Sequence, residues 1–495
     1  MFQIASAREA VELIKDGDCI GINSFLVLSN PEQLHNALRQ RFEEDGHPCG
    51  LKLFCAAGFG GWSEQRFADQ YIALGAVREI VAGHYGSMPV AMRMAMEGKI
   101  EAYNLPLGPL SQSLRAAASG QDGFLSEVGL NIFADPRVGK TGLNSSSNKE
   151  LATIVTVNGK ERIFYKAPKL DVAFIKGTSV DPNGNITFEK EYLTVDALAM
   201  AQATKANGGK VLVQVEQVTH VFARPRNVIV PGMLVDVVVV CPSTSAGYSG
   251  ALSGDIHVPP SQMSYYMGTL EPSKKSKGLD QSAKIIGERA SAELAPGQII
   301  NIGIGIPELV GKYAAKNNTL KDLVATVESG GIGGLPAPGI AFGATIGADM
   351  ISDMASQFDY YDGGGLDICF MGGLEADMQG NVNAHDLEGS YPGIGGFADI
   401  TFSTKTIVFC MTFTAKGLVA QRKDGKVSIV QEGSVPKFRK RVRALSFSAK
   451  NALARNQRVL YVTERCVFEL AEDGLRLKEV YDGIDPRVDI YPKLE

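Results

Sequence analysis

Apolar positions at Ala10, Val11, Leu13 and Ile14 follow the pair Ser6 and Glu9 and give way to Gly17. A serine that caps a helix start, with a glutamate three residues on reaching back to it, satisfies two backbone donors that would otherwise be orphaned. The spacing therefore predicts a short amphipathic helix. The apolar run Cys19-Ile-Gly-Ile-Asn23 comes next, then a turn, then a second helix start near Pro31 and Glu32. This is the helix, strand, helix opening of an α/β layer. The order returns downstream: a helical pattern from Asp280 to Glu293, Pro296-Gly297 as its stop, the strand-like Gln298-Ile-Ile-Asn-Ile-Gly303, and a new helix start at Pro307-Glu308. The most apolar stretch, Val228 to Cys241, is broken by Pro231, Gly232 and Asp236. It reads as two buried strands and falls short of the ~20 apolar residues a membrane-spanning helix needs.

A second echo contains no gaps. The segment from Asp171 to Ile186 matches Asp367 to Val382 at six of sixteen positions with a constant offset of 196, and both copies carry the pattern Asp-x-x-Gly-Asn (Asp181 to Asn185, Asp377 to Asn381). A following strand candidate, Lys210-Val-Leu-Val-Gln-Val, matches Lys405-Thr-Ile-Val-Phe-Cys at nearly the same offset. A common turn between strands explains the four-residue match alone. It does not explain three matches in the same order. The chain therefore reads as an α/β protein of two tandem homologous open α/β domains, residues 1–255 and 280–495. The linker between them, 256–279, overlaps the Gly-, Ser-, Pro- and Lys-rich stretch from Ser249 to Lys277. A ligand between two such halves is expected at loops that follow strand ends.

Composition narrows the class. In 495 residues, 49 Lys and Arg stand against 54 Asp and Glu, so neither disorder nor a dedicated nucleic-acid binder is indicated. The 55 glycines are an excess and imply many close backbone approaches. The seven cysteines are widely spaced without a C-x-x-C pair, which reads as reduced core thiols of a cytoplasmic protein. The N-terminus has neither the basic start nor the continuous apolar stretch of a signal peptide. None of the six histidines pairs with another at ligand spacing, so no metal is expected. Neither a complete dinucleotide fingerprint nor a P-loop pattern is present.

Two glycine-rich segments carry candidate chemistry. In Thr326-Val-Glu328-Ser-Gly330-Gly331-Ile-Gly333-Gly334-Leu-Pro336 a carboxylate follows an apolar strand and precedes four glycines, with no counterpart in the first half. Bare backbone leaves such a glutamate open to a wide angle of attack and supplies N–H groups to an oxyanion, as a nucleophilic carboxylate requires. A solvated loop glutamate beside a Gly-rich turn is the other reading. The second segment, Gly389-Ser-Tyr-Pro-Gly393-Ile-Gly395-Gly396-Phe-Ala-Asp399, either approaches a phosphate or thioester oxygen or makes a tight crossover. The basic run Lys437-Phe-Arg439-Lys440-Arg441-Val-Arg443 is either a phosphate contact or a solvated strand edge.

Together these pieces resemble the family I coenzyme A transferases, in particular the single-chain type that includes propionate and acetate/3-ketoacid transferases. The resemblance runs over nearly the whole chain. Its most specific segments are Val327-Glu328-Ser-Gly-Gly-Ile-Gly-Gly, Phe358 to Asp367, Gly380-Asn-Val-Asn383 and Gly393-Ile-Gly-Gly-Phe397. The first half adds Tyr103 to Gly108 and Val128 to Pro136. It implies that Glu328 is the nucleophile of a ping-pong transfer of CoA from a short-chain acyl-CoA to a carboxylic acid, through a glutamyl-CoA thioester. The Gly395 backbone and the Asn383 side chain are then the oxyanion donors, and Gly330, Gly331, Gly396, Phe25 and Leu107 line the substrate. It implies acyl-CoA and small carboxylic acids as partners, no cofactor beyond CoA as substrate, and a homo-oligomer with a tetramer favoured. The first half departs from the family: Asn23-Ser24-Phe25 stands where Gly-Gly-Phe is usual, and Pro106-Leu107-Gly108 where many members have Pro-Gln-Gly. Leucine donates no hydrogen bond, which points to a more apolar pocket or to weakened transfer. A thioester hydrolase on the same site and a non-catalytic acyl-CoA-binding module are the alternatives.

Overall fold

The computed structural model describes residues 2–64, 66–242, 281–337 and 341–494; the linker predicted at 256–279 lies outside the described residues. In the first half, eight strands form one sheet: β1 (Gln3–Ile4), β2 (Cys19–Ile22), β3 (Leu51–Cys55), β4 (Val77–Ala82), β5 (Glu101–Asn104), β6 (Val172–Lys176), β7 (Lys210–Val215) and β8 (Val237–Val240). Their order is β1-β8-β7-β6-β2-β3-β4-β5, and every neighbouring pair is parallel. Parallel strands need crossovers, and helices supply several of them: α1 (Ala7–Val11), α2 (Glu32–Asp45), α3 (Asp69–Ala73), α4 (Pro89–Met96), α5 (Leu107–Ala118) and α6 (Ala197–Ala206). Ser6 and Glu9 form the predicted capping box. The helix they start is shorter than its apolar pattern suggests: it ends at Val11, and Leu13 is left partly exposed.

The second half has a nine-stranded sheet of β9 (Ile299–Ile302), β10 (Val324–Thr326), β11 (Gly331–Ile332), β12 (Met350–Ile351), β13 (Ile368–Gly372), β14 (Thr406–Cys410), β15 (Arg458–Val462), β16 (Cys466–Ala471) and β17 (Gly474–Val480). The order is β12-β11-β10-β9-β13-β14-β15-β16-β17, parallel from β10 to β15 and antiparallel at both margins. Its described helices include α7 (Gln281–Ser291), α8 (Glu308–Lys316), α9 (Met354–Asp362), α10 (Phe397–Ser403) and α11 (Ala449–Ala454).

The internal repeat has a physical basis. Asp171 accepts the Cys19 amide at 2.8 Å and so ties β6 to β2, and Asp367 accepts the Ile299 amide at 2.9 Å and ties β13 to β9. Asp181 accepts the amides of Asn183 and Asn185 at 2.8 and 2.9 Å, and Asp377 those of Gln379 and Asn381 at 3.1 and 2.9 Å. Gly184 and Gly380 take the positive φ, +81° and +92°, that each of these turns needs. The repeated residues are therefore those that fix strand pairing and turn shape in each half.

One apolar core runs through both halves and includes Phe25, Leu107 and Leu110 from the first, and Phe342, Phe358 and Phe397 from the second. A second cluster lies within the first half alone. The seven cysteines are free, and no described helix is long and apolar enough to cross a membrane.

Candidate active site

Glu328 stands just past the end of β10, in a tight turn closed by the Gly330 amide on the Val327 carbonyl at 3.0 Å. The Val327 amide bonds the Gly331 carbonyl at 2.9 Å, and Ser329 Oγ donates to the Gly343 carbonyl. The glycines after it serve packing, which corrects the expectation that they leave open backbone around the carboxylate. A Cβ at Gly330 would come within 2.1 Å of the Ser352 carbonyl oxygen, and one at Gly331 within 1.9 Å of Thr345 Oγ1; Gly330 also has a φ of +121°. Thr345 ahead of β12 and Ser352 just after it are pressed against the turn that carries Glu328. The sequence reading placed Gly330 and Gly331 against the substrate; the structure shows that both also pack against the segment from Thr345 to Ser352.

Around Glu328 the surroundings are polar on one side and apolar on the other. Asn301 of β9 stabilises its charged form, and its amide nitrogen also lies 3.2 Å from the Thr326 carbonyl and 3.2 Å from the Tyr361 hydroxyl. Tyr361 donates in turn to Thr326 Oγ1 at 2.9 Å. Burial raises the Glu328 pKa above the usual carboxylate range, with Asn301 and its own amide opposing the rise. The side chain is not sealed off, because part of its surface remains accessible. Gly396 closes another side: the position of a Cβ there is 3.3 Å from Glu328 Cγ and 3.4 Å from the Phe358 ring.

The first half holds that glycine segment from across the seam. Gly395 donates its amide to the Gly83 carbonyl at 2.7 Å and accepts the Leu107 amide at 3.1 Å. Ile394 donates to Asn104 Oδ1 at 3.0 Å, and the amides of Tyr85 and Gly86 both reach the Pro392 carbonyl, at 2.8 and 2.9 Å. Residues 392–395 are thus bound to the loops and strand ends that follow β4 and β5, the carboxyl edge where open α/β sheets place their ligands. Phe25, after β2, packs its ring on Gly343 and 6.3 Å from the Phe342 ring. Leu107 is buried beside Gly83.

Two expected donors are otherwise engaged. The Gly395 amide is spent on Gly83, and the Asn383 amide group donates to Glu375 Oε2 at 3.1 Å and to the Asp386 carbonyl at 2.7 Å. Asn383 therefore shapes its own turn. The Gly396 amide, one residue on, has no partner among the described residues. Asn301, Tyr361, Asn104 and Asp399 were not assigned roles from sequence. Asn301 had a signal, being an amide inside the apolar run Ile299 to Ile302.

The basic run is largely committed within the fold. Lys437 Nζ donates to the Gly373 carbonyl at 2.7 Å and is brought down to about 8, chiefly by burial; Arg439 lies 3.7 Å from Glu375, and Arg443 lies 3.1 Å from Asp386. The histidine spacing gave no sign of a ligand set, yet the fold brings Asp16, His47 and Cys49 within 4.8 Å of one another through their ligand atoms. This group sits before β2 and β3, at the edge of the sheet opposite the seam, and is held by hydrogen bonds of Asp16 to the His47 ring and the Cys49 amide.

The family model for coenzyme A transferase matches residues 4–241 and 283–486. The chain belongs to the coenzyme A transferases. Among its relatives are the acetate CoA-transferase YdiF of Escherichia coli, 39% identical over 99% of this chain and 92% of that protein, and the caffeate CoA-transferase of Acetobacterium woodii, 36% identical over 100% and 94%. The crystal structure of E. coli O157:H7 YdiF as apoenzyme superposes with a TM-score of 0.90 at 37% identity, covering 100% of this chain and 93% of that one. The YdiF thioester complex with CoA gives 0.88 at 37% identity, covering 100% and 92%. This CoA transferase is therefore an enzyme that moves CoA from an acyl-CoA to a carboxylic acid, built as two α/β halves as the repeat implies.

Proposed function

We propose that this transferase passes CoA through Glu328. The Glu328 carboxylate attacks the thioester carbonyl of an acyl-CoA; the carbon–sulfur bond breaks, CoA leaves as thiolate, and the acyl group remains on Glu328 as a mixed anhydride. The thiolate then attacks the glutamyl carbonyl, the donor acid departs as carboxylate, and Glu328 is left as a glutamyl-CoA thioester. An acceptor carboxylate runs the two displacements in reverse. The carbonyl activation is never lost to water, so no ATP is needed, provided the anhydride is kept dry.

The observation that supports this most directly is the position of Glu328 at the seam, largely desolvated, with Gly396 packed on its side chain and the Gly396 amide without a partner among the described residues. A free N–H beside a reacting carbonyl stabilises the tetrahedral oxyanion, and removing one such donor typically costs ~10²–10³ in kcat. Gly396 thus takes the role first given to Gly395. Phe25 and Leu107 bring apolar surface to the same seam, which favours short acids without polar side groups. We read the two domains as 1–255 and 280–495, the assembly as a homo-oligomer with a tetramer favoured, the compartment as cytoplasmic, and CoA as substrate with no further cofactor.

Incubation of the enzyme with an acyl-CoA alone should leave CoA on the peptide that contains Glu328, seen by mass spectrometry, and leave none on Glu328→Gln. Undiminished transfer with no such adduct overturns the mechanism. Thiol release at the rate of transfer, with no carboxylate added, assigns the site to a hydrolase.

A further inference from the structure

The Gly396 amide helps Glu328 only if the start of α10 is held to a fraction of an ångström, and the residues that hold it come from the other half. Helix α5 presents Leu107, Gly108, Gln112 and Arg115 toward the second half, a spacing that puts them along one face. The Leu107 amide bonds the Gly395 carbonyl at 3.1 Å. Gln112 Nε2 reaches Asp359 at 2.8 Å and Asp362 at 3.2 Å, and Arg115 reaches Asp359 at 2.8 Å and Asp353 at 2.6 Å. Between these lies Asp399, the third residue of α10, completely buried. Its Oδ1 fills the space beside Gly108, 2.2 Å from where a Cβ at 108 would stand.

We propose that Asp399 is a positioning residue: lodged against the first turn of α5, it fixes the start of α10 so that the Gly396 amide faces Glu328. The proposal rests on Glu328 being the acylated residue. Three observations support it. The amide end of a twelve-residue helix attracts a carboxyl oxygen, and the Gly108 amide acts on Asp399 in that sense. The fit demands glycine at 108, since a methyl there meets the carboxyl at 2.2 Å and the Phe358 ring at 3.1 Å. Neither Asp399 oxygen has a full hydrogen bond among the described residues, so close packing at the seam holds the side chain where an isolated carboxylate would not stay. Burial and the neighbouring Asp362 both favour the protonated form of its carboxyl, whose shape and acceptor oxygen asparagine reproduces.

The test compares Asp399→Ala, Asp399→Asn and Gly108→Ala by steady-state kinetics with an acyl-CoA and acetate, by thermal melting, and by the rate of CoA adduct formation at Glu328. A misplacement of about 1 Å near the chemistry costs ~10²-fold, so Asp399→Ala should lose kcat and adduct rate by that order while the acyl-CoA KM stays within a factor of about three. Asp399→Asn should restore kcat to within about threefold of the starting enzyme. Gly108→Ala, whose methyl pushes the Asp399 carboxyl aside, should melt lower and show the same kcat loss as Asp399→Ala, with the double variant, in which that clash is relieved, no worse than either. Equal damage from asparagine and alanine, a parallel change in kcat and KM, or full kcat in Gly108→Ala overturns the proposal. Failure of the Glu328 reading shows separately, as absence of the adduct in the unmutated enzyme.

Discussion

Replacing Asn301 by leucine keeps the branched outline of the side chain and removes one amide from the surroundings of Glu328. Asn301 lies fully buried in β9, one strand from the glutamate, and holds Thr326 and Tyr361 while it stabilises the carboxylate. A hydrogen bond to a charged group is worth ~1.5–3 kcal/mol, and one pKa unit corresponds to ~1.4 kcal/mol. Its loss should raise the Glu328 pKa further in the direction that burial has already moved it. The sign follows from the role: Glu328 attacks as carboxylate, and a group with a higher pKa ionises at higher pH. The acid limb of kcat/KM should therefore move to higher pH, with a loss below the limb of the order that a hydrogen bond to a charged group supplies, ~10- to 100-fold, and recovery toward the parent rate above it. Initial rates of transfer to acetate across the neutral and acid range, with melting curves to confirm folding, measure this. A uniform loss at every pH, with the limb unmoved, refutes the reasoning.

Gly330→Ala places a methyl group 2.1 Å from the Ser352 carbonyl at a φ of +121°, so it should cost ~2–4 kcal/mol of stability from strain and overpacking and shift Glu328 with it. Denaturant unfolding reads the loss, and an unchanged midpoint contradicts the packing role of the turn. Asp196, buried at the seam, has its carboxyl pushed up to about 7, chiefly by burial. A folded-state pKa raised above an unfolded value of ~3.9 gives stability that is present below that value and lost as pH rises toward the folded one. Asp196→Asn should flatten the fall in Tm between about pH 4 and 7, and a slope equal to that of the parent shows that this residue does not cause it.

Strands, caps and turns could be read from sequence because their causes are local. Ser6 and Glu9 sit three residues apart, and each Asp-x-x-Gly-Asn turn closes on itself. Glu328 drew attention for the same reason, since a carboxylate at a strand end before four glycines is visible in a dozen letters. What those glycines do was not visible. Their close neighbours are Ser352, Thr345 and Asp349, brought in by the segments that flank β12, so close packing looked like openness. Asn383 shared the apparent chemistry of an oxyanion donor, but both its amide hydrogens are taken by partners whose orientation no spacing records.

The order of apolar and polar residues determined the elements, and the repeat at an offset of 196 determined that there are two related halves, because both depend on neighbours along the chain. Which backbone amide beside Glu328 has no partner among the described residues was decided only in three dimensions. Gly395 and Gly396 are adjacent and identical in type, and the Gly83 carbonyl, from the other half, takes the first and leaves the second. A hydrogen bond is settled by distance and angle in space, and the fold sets both.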